Sequence, residues 1–492
     1  AGQMVKSKKL RKPSERRAIT AAALLASILI LYYLIALSTL PVLERGIIAV
    51  VALILTSRVI IVTNNFRQIF GAYLFGGKAG INFVDSLSKH HPRLWNAFAD
   101  WGLVLSFGLA SYFLFRKQIS KRMLAFGMLS IFAIVYLVLP SSAVAFQFVN
   151  LPQITSHISP SASTVPSASV LASPAFYAIN AVLLFGGFSL FILSTLVYSG
   201  LSIIYSLLVF AQSLTTATPN YGVINSQVPG VAPILPGITI PLFAGIATLA
   251  ILLIIHEFSH GILARVANVK LKEIGILLLG VIPIGAYVEP DEKQIKKLAK
   301  EKQSRILIAG VAANIAASVI AFVLLLLLIT YVLPSFVTTK VFITATAPNS
   351  PSFNIIPAGS QVLAWNGHQV SNLSSLEAAA SATPFAHVMV DTSKGNYSLI
   401  SNATGKIGVS LSQTSGPDNT LGGSMVYFIY IVLSLSFLFN FLIGVVNLLP
   451  VPAVDGWQVF QLVTKDKRIL AALAWITVLA VLANVLPWFW TH

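Results

Sequence analysis

The 492-residue sequence contains no cysteine, which excludes disulfides, thiolate metal ligands and a cysteine nucleophile. Charge is scarce: Asp, Glu, Lys and Arg make up 10% of the chain, against 56% hydrophobic residues. That balance excludes a large soluble enzyme and reads as a polytopic α-helical membrane protein. Acids are rarer still, 15 against 32 Lys and Arg, for a net charge of +17. The excess sits in short basic clusters beside apolar runs. It therefore reads as topology determinants and contacts with the lipid bilayer, not as a surface for nucleic acid. No cleavable signal peptide is expected, because the apolar run at 18–40 that follows the basic residues 6–17 is too long for a signal core.

Among the few ionisable residues, His256, Glu257 and His260 form a His-Glu-x-x-His motif. On a helix, positions i and i+4 share a face, so both imidazoles can grip one metal ion while Glu257 takes a proton from water beside it. From Ile238 to Ile255 the sequence is almost wholly apolar, and Arg265 is the first cation after the motif. His256 then lies about 13 Å back from Arg265 along the helix. If Arg265 marks the edge of a hydrocarbon layer about 30 Å thick, the motif is inside the membrane. A satisfied pair of core histidines is the bland alternative. Two imidazoles and an acid at bilayer depth need a compensating partner, and a metal ion supplies one.

Along the chain, residues 1–17 read as a basic cytosolic arm. Residues 18–235 read as an N-terminal extension of about six spans, with a Ser/Pro-rich outer loop at 141–174. Within it, the glycine-broken stretch 66–93 is open between a re-entrant, interfacial or short crossing segment, and the apolar run 175–213 is expected to divide near Ser199-Gly200. Residues 236–337 hold the motif helix, running inward, and a glycine-spaced segment, 273–290, that is too irregular for a span and is expected to dip into the membrane as a hairpin or loop. Residues 338–415 turn polar and β-like, an inserted extracytosolic domain, and 424–492 return to the membrane. The N-terminus and the motif face the cytosol on this reading, in a multi-pass protein of the cell membrane. The Asn-x-Ser/Thr sequons at Asn372, Asn396 and Asn402 all fall in the domain assigned to the outside, which supports that orientation.

A catalytic zinc site takes three protein ligands, so a third is needed. Glu273, Glu289, Asp291 and Glu292 lie in the loop or charged segment, and Glu377, Asp391 and Asp418 in or beside the inserted domain. Asp455 stands out, after an apolar helix broken by Pro450 and Pro452 and ten residues before Lys465. His256-Glu-Phe-Ser-His260-Gly261 together with Asn447-x-x-Pro450-x-x-x-x-Asp455-Gly456 resembles the site-2 protease family of intramembrane zinc metalloproteases. Gly310-Val-Ala-Ala-Asn314 resembles that family's Gly-x-x-x-Asn element, and Gly285-Ala-Tyr-Val-Glu289-Pro the segment after the motif helix in archaeal-type members. The resemblance covers 236–490 and leaves the extension unexplained.

It implies one zinc ion per chain held by His256, His260 and Asp455, with Glu257 as general base, acting on transmembrane protein substrates. Asn314 and Asn447 are candidate supports for the oxyanion or the substrate, or else hydrogen-bond links between helices. Residues 355–370 resemble a PDZ strand-turn-strand pattern, with Ser360 and Trp365 departing from it, which implies a small α/β PDZ-like domain; His368 there reads as a surface turn residue. Two alternatives stand beside the protease. A membrane zinc protease with a glutamate third ligand lacks a suitable intramembrane glutamate after Glu257. A non-proteolytic zinc-containing scaffold or transporter would not need all four side chains. Oligomeric state is not legible.

Overall fold

The computed structural model describes residues 13–34, 42–140 and 173–489, apart from 70, 78, 216–218, 228, 232–233, 235, 238, 381–382, 419 and 453. Most of the basic arm and most of the loop 141–174 lie outside the described residues. The chain divides into two compact units, one of residues up to 323 and from 432 onward, the other centred on 324–431. Among the described residues, seven helical stretches are long and apolar enough to cross a membrane: Ile47–Asn64, Lys121–Val138, Phe176–Ser213, Leu242–Val266, Lys300–Ser335, Leu421–Val446 and Lys467–Phe489. The architecture is that of a helical membrane protein with an inserted domain.

The first unit opens with α1 (Pro13–Tyr32) and α2 (Val42–Asn64). Helix thus begins inside the basic arm, where Pro13 is favourable at a first helical position and Glu15 in the first turn. The stretch 66–93, open from sequence, forms β1 (Gln68–Ile69), β2 (Ala72–Gly77) and α3 (Ala79–Lys89). Next come α4 (Pro92–Phe107), α5 (Ala110–Leu114), α6 (Lys121–Ala133) and α7 (Pro174–Ser213). α7 does not divide at Ser199-Gly200; its one non-helical residue is Gly187.

The motif helix α8 (Leu242–Val266) is ended by Asn268 in the left-handed conformation (φ 65°), the Val269 N–H donating back to the Ala264 carbonyl. The glycine-spaced segment is an antiparallel hairpin, β3 (Leu271–Leu279) and β4 (Ile282–Pro290), whose register shifts between Leu271 and Glu273 and between Leu277 and Leu278. β2 pairs with β3, giving a four-stranded sheet of order β1-β2-β3-β4 with β4 at one edge. The hairpin turn is anchored on α2 and β2: the Gly280 N–H donates to Ser57 Oγ (2.6 Å), and the Tyr73 hydroxyl donates to the Gly280 carbonyl (2.9 Å). α9 (Lys300–Leu327) then follows the charged segment.

The second unit is an antiparallel sheet of order β10-β5-β6-β8-β9, with β7 paired to β6. Its strands are β5 (Val337–Thr346), β6 (Ser360–Trp365), β7 (His368–Gln369), β8 (His387–Thr392), β9 (Gly395–Ile400) and β10 (Val409–Pro417). α10 (Leu373–Ala379) starts at a reciprocal cap between Asn372 and Ser375. Val341, Ile343, Val362, Trp365 and Val390 form its core. β6 and β7 are joined by Asn366 and Gly367, both at positive φ, as a tight hairpin turn requires, and His368 is exposed. The three sequon asparagines are also exposed.

The chain returns as α11 (Leu421–Val446), the short α12 (Asp455–Val463) and α13 (Lys467–Val485).

The extension is packed into the first unit's core rather than appended to it. Val84, Leu103, Val104 and Phe107 share one buried cluster with Ile262, Leu263, Ile308, Leu448 and Val459. Two carboxylate–guanidinium pairs, each with two hydrogen bonds, reinforce this packing. Asp85 on α3 meets Arg265 at the end of the motif helix (2.5 and 3.0 Å), and Asp100 on α4 meets Arg305 on α9 (both 2.8 Å). Gln118 donates to Asp100 and accepts from Ser304, extending the second pair.

Candidate metal centre and active site

His256 and His260 lie one turn apart on α8, as i, i+4 spacing requires. Asp455 is the first residue of α12, reached through the loop after α11. Across 195 residues of sequence the three meet. His256 Nε2 is 3.1 Å from Asp455 Oδ2, His260 Nε2 is 3.2 Å from the same oxygen, and the two Nε2 atoms are 3.3 Å apart. Among the described residues this is the group of three or more His, Cys, Asp or Glu side chains able to hold a metal ion.

The donor set fits zinc. Three ligands that each bond zinc at about 2.0–2.1 Å in a tetrahedral arrangement stand about 3.3 Å from one another. The triangle of donors has that size. A direct contact among three groups without a cation needs a proton between each pair, whereas one dication satisfies all three.

The second nitrogens of the imidazoles bear on the same question. His260 Nδ1 lies 2.7 Å from the Ile306 carbonyl oxygen, so it carries a proton and leaves Nε2 with its lone pair free toward the donor triangle. His256 Nδ1 faces the side-chain amide of Asn314 at 3.2 Å, while Asn314 Oδ1 is buried without a partner. Nitrogen and oxygen of an amide exchange by a simple flip. Turned over, Asn314 Oδ1 accepts from His256 Nδ1–H, the orphaned oxygen is satisfied, and His256 adopts the same tautomer as His260.

Two glycines permit this closeness. A Cβ on Gly310 would lie 2.5 Å from both His256 Cε1 and His260 Nε2, so α9 can press on the imidazoles only with glycine there. A Cβ on Gly456 would lie 2.5 Å from the Leu448 carbonyl carbon, and the Gly456 N–H donates to the Asn447 carbonyl (2.6 Å). That bond closes the Asn447–Gly456 loop and presents Asp455. The Asn447 side chain is half-exposed and has no hydrogen-bond partner among the described residues.

Glu257 is half-buried beside the histidines, and its Oε2 accepts from the backbone N–H of Val288 on β4 at 3.1 Å. Val288 also packs where a Cβ on Gly261 would meet it at 3.2 Å, so motif helix and edge strand are in contact at the acid and again one turn beyond it. At the far end of the hairpin, Arg67 donates to Glu289 (2.8 Å) and holds that carboxylate below its ordinary range. Burial, with Glu273 nearby, pushes the Tyr287 hydroxyl up to about 12.

Sequence reasoning missed the Val288 amide, the Asp85–Arg265 and Asp100–Arg305 pairs and the strands β1 and β2. The two aspartates carried a signal, since an acid within an apolar stretch needs a partner. The strands carried little, being two and six residues long and broken by glycine.

A helical membrane protein that gathers two imidazoles and a carboxylate next to a further acid defines a class able to hold a metal ion within the chain. Residues 244–486 match the family model described as peptidase family M50. That model describes the site-2 protease family, which is zinc-dependent, and it covers 243 of the chain's 492 residues. A stretch of 240 residues is 30% identical to an uncharacterized protein of Methanocaldococcus jannaschii, covering 47% of this chain and 61% of that relative. The chain thus spans less than two thirds of the length of the relative it matches.

Proposed function

We propose that this protein is an intramembrane zinc metalloprotease, hydrolysing peptide bonds within or near transmembrane segments of other membrane proteins. His256, His260 and Asp455 would hold one zinc ion, and Glu257 would act as general base. The observation that carries this reading is the donor triangle of 3.1–3.3 Å with Glu257 alongside it. Bound there, zinc supplies Lewis acidity, lowering the pKa of water and polarising a carbonyl.

The chain's own residues supply the rest. Glu257, held by the Val288 amide, takes a proton from the attacking water and passes it to the leaving amine. Asn314 fixes the His256 tautomer, which supports a positioning role for it rather than an oxyanion contact. Asn447, with its side chain uncommitted, is the better candidate to support the oxyanion or substrate.

A substrate helix has its amides paired internally and must unwind before cleavage. β4 is the edge of its sheet and lies against the motif helix, so an unwound segment can pair with it as an added strand. The inserted unit is PDZ-like on this reading and faces the extracytosolic side. Its exposed sequons and the basic residues around 291–305 and 465–468 support that orientation. It would admit substrates already shortened outside, as regulated intramembrane proteolysis requires.

The test is cleavage of a single-span membrane substrate by purified protein in lipid. Wild type yields a product cut within or beside the span, and Glu257→Gln yields none. Equal product from both would end the proposal.

A further inference from the structure

Two interruptions of regular helix meet inside the N-terminal extension. α4 stops at Gly108 (φ 53°, ψ −137°), and α7 breaks at Gly187 (φ 57°, ψ −154°). Both conformations lie where residues with a side chain are strained. The two backbones are in contact. A Cβ on Gly108 would lie 2.5 Å from the Leu184 carbonyl oxygen and 2.8 Å from the Gly187 nitrogen. One on Gly187 would lie 2.5 Å from the Leu105 carbonyl oxygen and 2.6 Å from the Gly108 nitrogen. The Leu109 N–H donates across the crossing to the Leu184 carbonyl at 2.8 Å. A break in a membrane helix frees backbone groups that need new partners, and here the Leu184 carbonyl of α7 supplies one to the Leu109 N–H.

The residues beside both breaks bear on the part of the chain that presents Asp455. Phe107 meets Phe460 of α12 edge to face (5.8 Å), and the fully buried Phe188 meets Phe441 of α11 likewise (5.5 Å). Ser189 Oγ donates to the Leu448 carbonyl at 3.3 Å. That carbonyl is the one a Cβ on Gly456 would strike at 2.6 Å, and Gly456 is the neighbour of Asp455. Further along α7, Ile192, Leu193 and Leu196 pack in one cluster with Leu449 and Val454, the residue just before Asp455. The redirected half of α7 is therefore the wall against which the carboxylate loop is folded.

We propose that the Gly108–Gly187 crossing and Ser189 are positioning elements for the third metal ligand. The extension, and not the family core alone, sets where the Asp455 carboxylate stands. This rests on reading His256, His260 and Asp455 as metal ligands.

The experiment is a cobalt(II) titration of the purified full chain in detergent, followed by visible absorption. Wild type is compared with Ser189→Ala, Ser189→Thr, Gly187→Ala, Asp455→Asn and, as control on the same helix, the exposed Thr195→Ala. Ser189→Ala should weaken cobalt binding about tenfold, in the range seen when groups behind a metal ligand are removed. Its absorption spectrum should move in the direction seen for Asp455→Asn. Ser189→Thr should restore both, and thermal unfolding should change no more than in Thr195→Ala. Gly187→Ala should have the larger effect; if it does not fold, the Ser189 pair decides. Wild-type affinity and spectrum in Ser189→Ala would overturn the inference. A wild-type chain that binds no cobalt would instead bring down the reading of the metal site, and the inference with it.

Discussion

At the scale of single residues, the site depends on what stands behind the metal-facing atoms. Glu257 faces the site from the side and is tethered by one backbone N–H. Glu257→Gln should therefore keep a full equivalent of zinc while losing about a thousandfold or more in cleavage, the scale of a missing general base. On the proposed reading Asn314 acts through His256. Asn314→Ala should weaken zinc binding about 10- to 100-fold by chelator competition, whereas Asn314→Asp, which keeps an acceptor, should lose less. Equal losses in the two variants would speak against a tautomer-setting role. Gly310→Ala should abolish metal binding, because its methyl group would occupy the space of the imidazoles. That His256, His260 and Asp455 come together was legible because motif spacing and a proline-kinked Asp-Gly turn leave few other donors. The partner of Asn314 was not, because the rotation of α9 about its axis is set by packing.

At the scale of elements, the sheet beside the motif helix matters most. Residues 273–290 read as irregular because the glycines interrupt every periodicity. In the structure they let the Tyr287 ring lie across neighbouring strands: a Cβ on Gly275 would meet Tyr287 Cε1 at 2.7 Å. The segment pairs as a hairpin despite two register shifts, and the N-terminal β2 covers the side away from β4. Val288→Pro removes the N–H that Glu257 accepts and blocks the strand from its usual pairing. Cleavage of a membrane substrate should fall sharply while zinc content stays near one per chain; unchanged cleavage would rule out a role for this strand. The position of the α7 break was misjudged because the apolar run offers more than one small-residue pair, Gly186-Gly187 as well as Ser199-Gly200. The break follows instead from the backbone contact at Gly108, which no local pattern in 175–213 announces.

At the scale of the whole molecule, the extension and the family core share one buried interior and two bidentate ion pairs. Asp100 and Arg305 are mostly buried, and removing one partner strands the other charge. Asp100→Ala should lower unfolding stability by about 2–3 kcal/mol in detergent. Loss of no more than a few tenths would show that the contact is incidental. Deleting 338–415 should broaden the range of substrates cleaved, as measured against spans carrying long and short outer segments; an unchanged range would refute a gating role.

The central claim is that His256, His260 and Asp455 hold a catalytic zinc. X-ray absorption at the zinc edge, on the inactive Glu257→Gln protein loaded with one zinc, tests it most directly. The account predicts two imidazole nitrogens with oxygen ligands at about 2.0–2.1 Å. It further predicts one imidazole fewer when His256→Ala is added, and an altered oxygen shell when Asp455→Asn is added. An imidazole and oxygen pattern unchanged by either substitution would contradict it.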